Sequence, residues 1–326
     1  MIASSNVEAQ KTGGQLGMVG HGDSIATALA TGPDGSDMTN VRSISTPSVL
    51  HADIRRGEAN DAYHANETHR SCSRAKTLLD SPVLYYQRYI AKTLPPFSSS
   101  ATDHGTLMHL WMEFGDDFLE RLVVPPSETL TATGLVGKEA QKWAENEAPA
   151  DAIIVSPKER AQLLAEIRAI KANPAAAEHI ARIAEHEISV YWTDADGNNL
   201  KCRFDAVTSD GLVLDLKTTR EADILSGFWK SVIDFKYHLQ DAWYRRGMEA
   251  CGMDPAPLRF IVISTSLPHD CQVVTLPDAV VAEGQRLMDK ALADLRLRES
   301  LDWWLPDTHG EVVELSFPAH VLGRMR

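Results

Sequence analysis

The sequence predicts an α/β fold, with one central mixed β-sheet flanked by helices. Three observations carry that prediction. Apolar residues recur at helical spacing through much of the first half of the chain. Between residues 188 and 218 the spacing switches to alternation, in three apolar stretches joined by tight polar turns. Helical spacing then returns, interrupted by two short apolar stretches at 260–264 and 272–276. Helices, three meandering strands, helix, two strands and a helix make an α/β sandwich around one sheet, not a doubly wound parallel sheet.

Each element has a local reason. Residues 1–60 are rich in Ser, Thr, Gly, Ala and Asp with little apolar periodicity, which predicts a flexible tail. The remainder, 61–326, reads as one domain with order beginning near Tyr63. Ser71-Cys72-Ser73 can cap a helix from Arg74 to Asp80, with Ala75, Leu78 and Leu79 inward. Ser81-Pro82 breaks it and restarts a helix over 83–90. A helix from about Asp103 carries Leu107, Leu110, Trp111 and Phe114 on its apolar side. Residues 125–136 read as a loop, and 138–147, 157–172 and 174–183 as helices. Ile188, Val190 and Trp192 alternate in the first strand, and the polar run 194–199 turns the chain. Strands follow at 200–207 and 212–218, helices at 222–232 and 237–250, strands at 260–264 and 272–276, and a long helix at 279–300.

Composition narrows the class. Hydrophobic content of 44% and charged content of 24% are ordinary for a globular chain of 326 residues. No run of eighteen apolar residues is present, so no membrane span is expected. No basic segment followed by an apolar one opens the chain, so a cytoplasmic location is expected. Cys72, Cys202, Cys251 and Cys271 are far apart, which argues for reduced thiols and against zinc ribbons or local iron–sulfur motifs. A net charge of −13 argues against coating nucleic acid with a global positive field, though not against a local basic groove.

The chemistry concentrates between Asp205 and Lys217. Asp205 lies on one apolar strand; Ser209-Asp210-Gly211 turns the chain; Leu212-Val213-Leu214 then delivers Asp215 and, two residues on, Lys217. Residues two apart in a strand share a face, so Asp215 and Lys217 point together. Charges set into an apolar strand are costly unless paired or used. Phosphodiester hydrolysis needs a positioned water and charge relief on the leaving oxygen, which Mg²⁺ supplies, with Mn²⁺ as a substitute. Mg²⁺ takes hard oxygen ligands, so Asp205, Asp215 and the backbone carbonyl of Leu216 are candidate ligands. Lys217 can hold the attacking water or stabilise developing charge.

Other positions are ambiguous from spacing alone. His109 sits in a helix otherwise built of Leu107, Met108, Leu110, Trp111 and Met112, where a lone histidine is more often structural than a ligand. Glu187 opens the first strand and reads equally as an outer carboxylate of the site or a solvated strand-end charge. Gln240 and Tyr244 are four apart on one helix face, ready either to act together on the scissile strand or to face solvent. Arg203, two residues before Asp205, is the best candidate to contact DNA phosphate. Arg74, Lys76, Lys201, Lys230 and Lys236 are further basic candidates, each singly more in keeping with a solvated surface charge.

The segment from Glu187 to Tyr244 resembles the PD-(D/E)xK nuclease core: acid on the second strand, acid-x-Lys on the third, then a helix. Ser81-Pro82-Val83-Leu84-Tyr85-Tyr86, Gly105-Thr106-Leu107-Met108-His109 and Val190-Tyr191-Trp192-Thr193-Asp194 extend the likeness. So do Asp215-Leu216-Lys217-Thr218-Thr219 and Tyr237-His238-Leu239-Gln240-Asp241-Ala242-Trp243-Tyr244. Together they resemble the C-terminal nuclease domain of the RecE, exonuclease VIII, family, from about Tyr63 onward. The resemblance implies a restriction-endonuclease-like core and a Mg²⁺-dependent exonuclease on double-stranded DNA ends. It implies digestion of one strand from the 5′ end, leaving a 3′ tail for a RecT-type annealing protein. It implies a ring-shaped homo-oligomer, His109 as a metal ligand beside Asp205 and Asp215, and Lys217, Gln240 and Tyr244 as catalytic partners. Phe204 stands where the family has proline before the first acid, a departure that touches strand shape and not chemistry.

Overall fold

The computed structural model describes residues 52–94 and 100–316. In chain order the elements are β1 (Asp53–Arg55), α1 (Asn60–Ala65), β2 (Arg70–Ser71), α2 (Cys72–Asp80), α3 (Pro82–Tyr85) and a π-helical turn (Tyr86–Ile90). Next come α4 (Ser100–Phe114), α5 (Asp117–Glu120), β3 (Leu122–Val123), a 3-10 turn (Ser127–Thr129), α6 (Lys138–Glu147) and β4 (Ile153–Ile154). Then follow α7 (Pro157–Ala172), α8 (Pro174–Ala181), β5 (Ile183–Thr193), β6 (Asn199–Thr208) and β7 (Val213–Thr219). The remainder is α9 (Ile224–Gly227), α10 (Trp229–Asp234), α11 (Tyr237–Ala250), β8 (Arg259–Ser264), β9 (Cys271–Val274) and α12 (Asp278–Leu301).

One sheet organises these elements, in the order β1-β5-β6-β7-β8-β9, with β2 pairing on β6. The predicted meander is present: β5, β6 and β7 are antiparallel. The chain then crosses over through α9, α10 and α11, so β8 lies parallel to β7, and β9 returns antiparallel to β8. The sheet is therefore mixed, as the alternation of strands and helices predicts. Asp194 makes the first turn: its carboxylate accepts the N–H groups of Asp196 at 3.0 Å and Asn198 at 2.8 Å. Helix starts follow their capping residues. Ser156 and Glu159 form a reciprocal capping box ahead of Pro157, and Ser71 caps α2.

Each sheet face has its own core. On one, Val190, Cys202, Phe204, Val213, Phe260 and Val262 pack with Ala75, Leu239, Trp243, Met288 and Leu292, from α2, α11 and α12. On the other, Ala206, Leu214, Leu216, Ile261 and Ile263 meet Met108, Trp111, Leu163, Ile167 and Ala176, from α4, α7 and α8. Each large apolar side chain so buried contributes roughly 1.5–3 kcal/mol. Glycine sets the distance of α11 from its neighbours. A Cβ at Gly247 would lie 2.6 Å from Cys202 Sγ, and one at Gly284 of α12 would run into the His238 carbonyl.

The structure corrects two boundaries and one buried face. Residues 1–51 of the expected tail lie outside the described residues. Asp53–Arg55, also assigned to that tail, is a strand paired antiparallel with Ser189–Tyr191. Its sequence, Asp-Ile-Arg, holds one apolar residue and so carries no alternation; the ladder with β5 makes the strand. In α4 the buried side is Met108, Trp111 and Met112, whereas Phe114 is half-exposed. The C-terminal half of that helix, 107–114, is apolar on most sides, so periodicity could not choose the buried stripe there. The single helix expected over 222–232 is two short ones, α9 and α10. Among the described residues no helix is long and apolar enough to cross a membrane.

Candidate active site

β6 and β7 pair only at Ala206 with Leu214 and Val207 with Val213. Beyond that point β7 turns its edge to β8, to which Leu214–Thr219 pair in parallel. The first residues of the split are Asp205 and Asp215. Asp205 Oδ2 accepts the Leu216 N–H at 3.3 Å, so a side chain takes the place of the ladder bond. Side-chain alternation inverts here: Phe204 lies in one core and Ala206 in the other. The neighbouring strand is irregular at the same level. Glu187 lies between the pairs Ile188 with Phe204 and His186 with Ala206, opposite Asp205, with φ at 51°. A glutamate held in left-handed backbone within a strand is strained, a state that persists where surrounding structure enforces it.

Into this split α4 brings its polar stripe. Gly105, Thr106 and His109 lie at helical spacing and line a cavity of about 300 Å³ with Leu216, Lys217, Thr218 and Tyr237. His109 Nδ1 stands 3.2 Å from Asp205 Oδ2. Lys217 Nζ forms an ion pair with Asp215 Oδ2, as their shared strand face predicts. From α11, Gln240 Nε2 donates to Asp215 Oδ1 at 2.6 Å. Gln240 is buried, so the solvent-facing alternative for that residue is excluded. Lys76 of α2 donates to Gln240 Oε1 at 3.4 Å, a contact that spacing does not reveal because the two lie 164 positions apart. Tyr237 is another residue that spacing does not single out; its ring carries Lys217 Nζ at 5.0 Å from the centroid.

The charges are unevenly held. Burial pushes the Asp215 carboxyl up to about 6, with Asp205 adding to the rise and Lys217 opposing it. Burial acts the same way on Asp205, but His109, Lys217 and the Leu216 N–H outweigh it and hold that carboxyl below its ordinary range. Burial disfavours the Lys217 ammonium, yet both carboxylates hold its proton more firmly than an ordinary lysine's. His109 is likewise raised, Asp205 overcoming the effect of burial. Tyr244 packs edge-on against Phe204, with ring centroids 5.4 Å apart. Burial, then Asp205 and Asp215, push its hydroxyl well up, so it is a neutral phenol beside the carboxylates.

Two expectations change. Glu187 does not open its strand but lies within β5, partly exposed, with Arg203 Nη1 at 3.4 Å. Burial and the charge of Asp205 push it up to about 7. Arg203, expected to contact DNA phosphate, is buried and committed. Its guanidinium donates to Ser189 Oγ at 3.0 Å and the Glu58 carbonyl at 3.0 Å, and stacks over Tyr63 at 4.3 Å. It ties β6 to the segment after β1 and is not available to a ligand.

Among the described residues no three His, Cys, Asp or Glu side chains already surround one point at ligand spacing. Mg²⁺ asks for less: one or two carboxylates, with water and substrate phosphate completing its shell. Asp205 and Asp215 meet that need. Asp215 is fully buried with Oδ2 held by Lys217, and His109, Leu216 and Lys217 line the adjoining cavity. The donor set fits a hard divalent cation.

The chain matches, over residues 71–300, the model of the PDDEXK-like domain of unknown function (DUF3799). It belongs to this family. The split strands, the paired acids and the acid-x-Lys run all fall within the matched PDDEXK-like segment. No protein of curated function matches the chain. Among solved structures, a "putative exonuclease" from Eubacterium rectale is similar in fold. Its TM-score is 0.54 at 13% identity, covering 81% of this chain and 97% of that one.

Proposed function

We propose that this PDDEXK-like protein is a Mg²⁺-dependent exodeoxyribonuclease. It degrades one strand of linear double-stranded DNA from the 5′ end and leaves a 3′ single-stranded tail. The observation that carries the reading is the meeting of Asp205, Asp215 and Lys217 at the β6–β7 split, with His109 against Asp205. Asp205, Asp215, His109 and the Leu216 carbonyl would hold the ion. When bound, the ion supplies a nucleophilic water and neutralises the leaving oxygen. Lys217 keeps its proton throughout, so its ammonium orients the attacking water and offsets charge developing on the phosphoryl oxygens. Gln240 fixes Asp215 through Oδ1, while Oδ2 pairs with Lys217. Tyr244 stays neutral and can donate to the scissile strand.

The 5′ polarity, a ring-shaped homo-oligomer and a RecT-type annealing partner belong to the same proposal; the RecE-like order of motifs supports them. The reaction class agrees with that of the Eubacterium rectale protein of similar fold, a "putative exonuclease". The test uses linear duplex labelled at either 5′ end, a covalently closed circle, and Mg²⁺ or EDTA. Mg²⁺-dependent release of 5′-labelled mononucleotides from the linear duplex alone is expected. Nicking of circles would make the protein an endonuclease of the same fold. No cleavage, with Asp215→Ala indistinguishable from wild type, would make it a non-catalytic DNA- or partner-binding module.

A further inference from the structure

A second groove lies beside the site, with a volume of about 1300 Å³, above the roughly 300–1,000 Å³ of small-molecule pockets. Its cations and aromatics come from α2, the π-helical turn, β6 and the α10–α11 junction. We propose that this groove is a track for single-stranded DNA: Arg74 and Lys76 hold its phosphates, and Tyr89, Phe235 and Tyr237 stack its bases. The proposal rests on the nuclease reading for the identity of its ligand.

The charge balance of the groove is the first argument. Among the described residues, no carboxylate lies within ion-pair distance of Arg74, Lys76 or Lys201. Arg74 donates to the Glu67 carbonyl at 3.4 Å and Lys76 to Gln240, whereas Lys201 is buried and given to the Tyr63 and Asn66 carbonyls. The carboxylates of the groove are used elsewhere: Glu67 pairs with Lys92 and Asp80 with Lys236, while Asp234 is exposed. In a chain of net charge −13, such a cluster is a local exception that an anion would neutralise.

Ring placement is the second argument. Arg74 lies over Tyr89 at 4.9 Å, and Lys76 over Tyr237 at 5.3 Å. Phe235 is 58% exposed, its ring centroid 5.8 Å from that of Tyr237. Alternating cations and aromatic faces hold single strands, whose bases have free faces; bases within a duplex have none to offer. Continuity is the third argument. Tyr237 lines both groove and catalytic cavity, and Lys76 reaches Asp215 through Gln240. A strand in the groove leads to the carboxylates.

The test is fluorescence anisotropy in EDTA, with a labelled oligothymidylate of about 16 nucleotides and, in a second arm, a blunt hairpin duplex. The Arg74→Gln/Tyr89→Ala double variant should bind the oligothymidylate about tenfold more weakly or worse. Its log K against log[salt] slope should be shallower by about 0.7 for the lost phosphate contact. Phe235→Ala, at an exposed position, should weaken binding without altering the melting temperature. Both variants should hydrolyse thymidine 5′-(p-nitrophenyl phosphate) with Mg²⁺ at the wild-type rate, since that ester occupies only the catalytic cavity. Undiminished oligothymidylate binding by both variants, or a loss of blunt-duplex binding as large as the loss of oligothymidylate binding, overturns the proposal. Groove-dependent binding by a protein that cleaves neither DNA nor the ester upholds the groove and removes the nuclease reading instead.

Discussion

Glu166 and Asp215 are both fully buried carboxylates, one on each side of the β7–β8 layer, and they are treated differently. Glu166 is closed. It pairs with His104 Nε2 at 2.7 Å, accepts from Gln162 Nε2 at 2.8 Å and has His269 Nδ1 at 3.8 Å. It thereby links α4, α7 and the loop after β8. Asp215 is held otherwise: Oδ1 is bonded to Gln240 and Oδ2 pairs with Lys217, whose own side chain lines an open cavity. A network closed on all sides rigidifies; one whose cation lines a cavity leaves its carboxylate within reach of a ligand. Asp241 shows that the cavity matters too. It too is buried and paired with a cation, Arg245 at 2.6 Å, but that cation does not line the catalytic cavity.

Substitutions should separate the two carboxylates. Asp215→Asn should lower DNA cleavage by on the order of 10³-fold, read as single-turnover rates, while its melting temperature holds or rises. Glu166→Ala should do the reverse. Losing a buried network residue should cost about 3 kcal/mol in urea denaturation, and the folded fraction should cleave at the wild-type rate. Equal stability losses in both variants would break the contrast. Gln240→Ala should weaken Mg²⁺ binding or activity by roughly 10–100-fold, the usual effect of removing a hydrogen bond to a metal-ligating carboxylate.

The smallest effect concerns pH. The raised pKa of Asp215, about 6 in the folded protein, means that a proton and a cation compete for it. Below that pH the carboxyl is neutral, and Mg²⁺ affinity should rise about tenfold per pH unit, one proton being released per ion bound. Above it the dependence should flatten. In the absence of metal the sign for stability is opposite. Folding holds the proton more tightly than the unfolded chain does, so stability from this group falls as pH rises toward 6. Denaturation midpoints at stepped pH, with and without Mg²⁺, read both trends.

What the sequence reveals about this site follows from how local each signal is. The acid-x-Lys run is legible because two charges interrupt an apolar strand, and residues two apart in a strand must share a face. The mixed sheet is legible because alternation and helical spacing follow one another along the chain. Lys76 and Tyr237 are not legible as site residues, since only the packing of α2 and α11 over the split brings them to Gln240 and Lys217. Arg203 misleads for the same reason. Strand spacing puts it near Asp205, but the strained backbone at Glu187 and the β1 segment give it other partners. His109 is a middle case: the helix is readable, whereas its rotation toward Asp205 depends on Met108, Trp111 and Met112 being buried.

The most direct test of the central claim, that the β6–β7 split is left open for a divalent cation, is calorimetric titration of Mn²⁺ into three proteins at pH above 7. Wild type and Glu166→Gln should bind Mn²⁺ with the same affinity, and Asp215→Asn should bind none. Equal Mn²⁺ binding by wild type and Asp215→Asn, or its loss in Glu166→Gln alone, would contradict the claim.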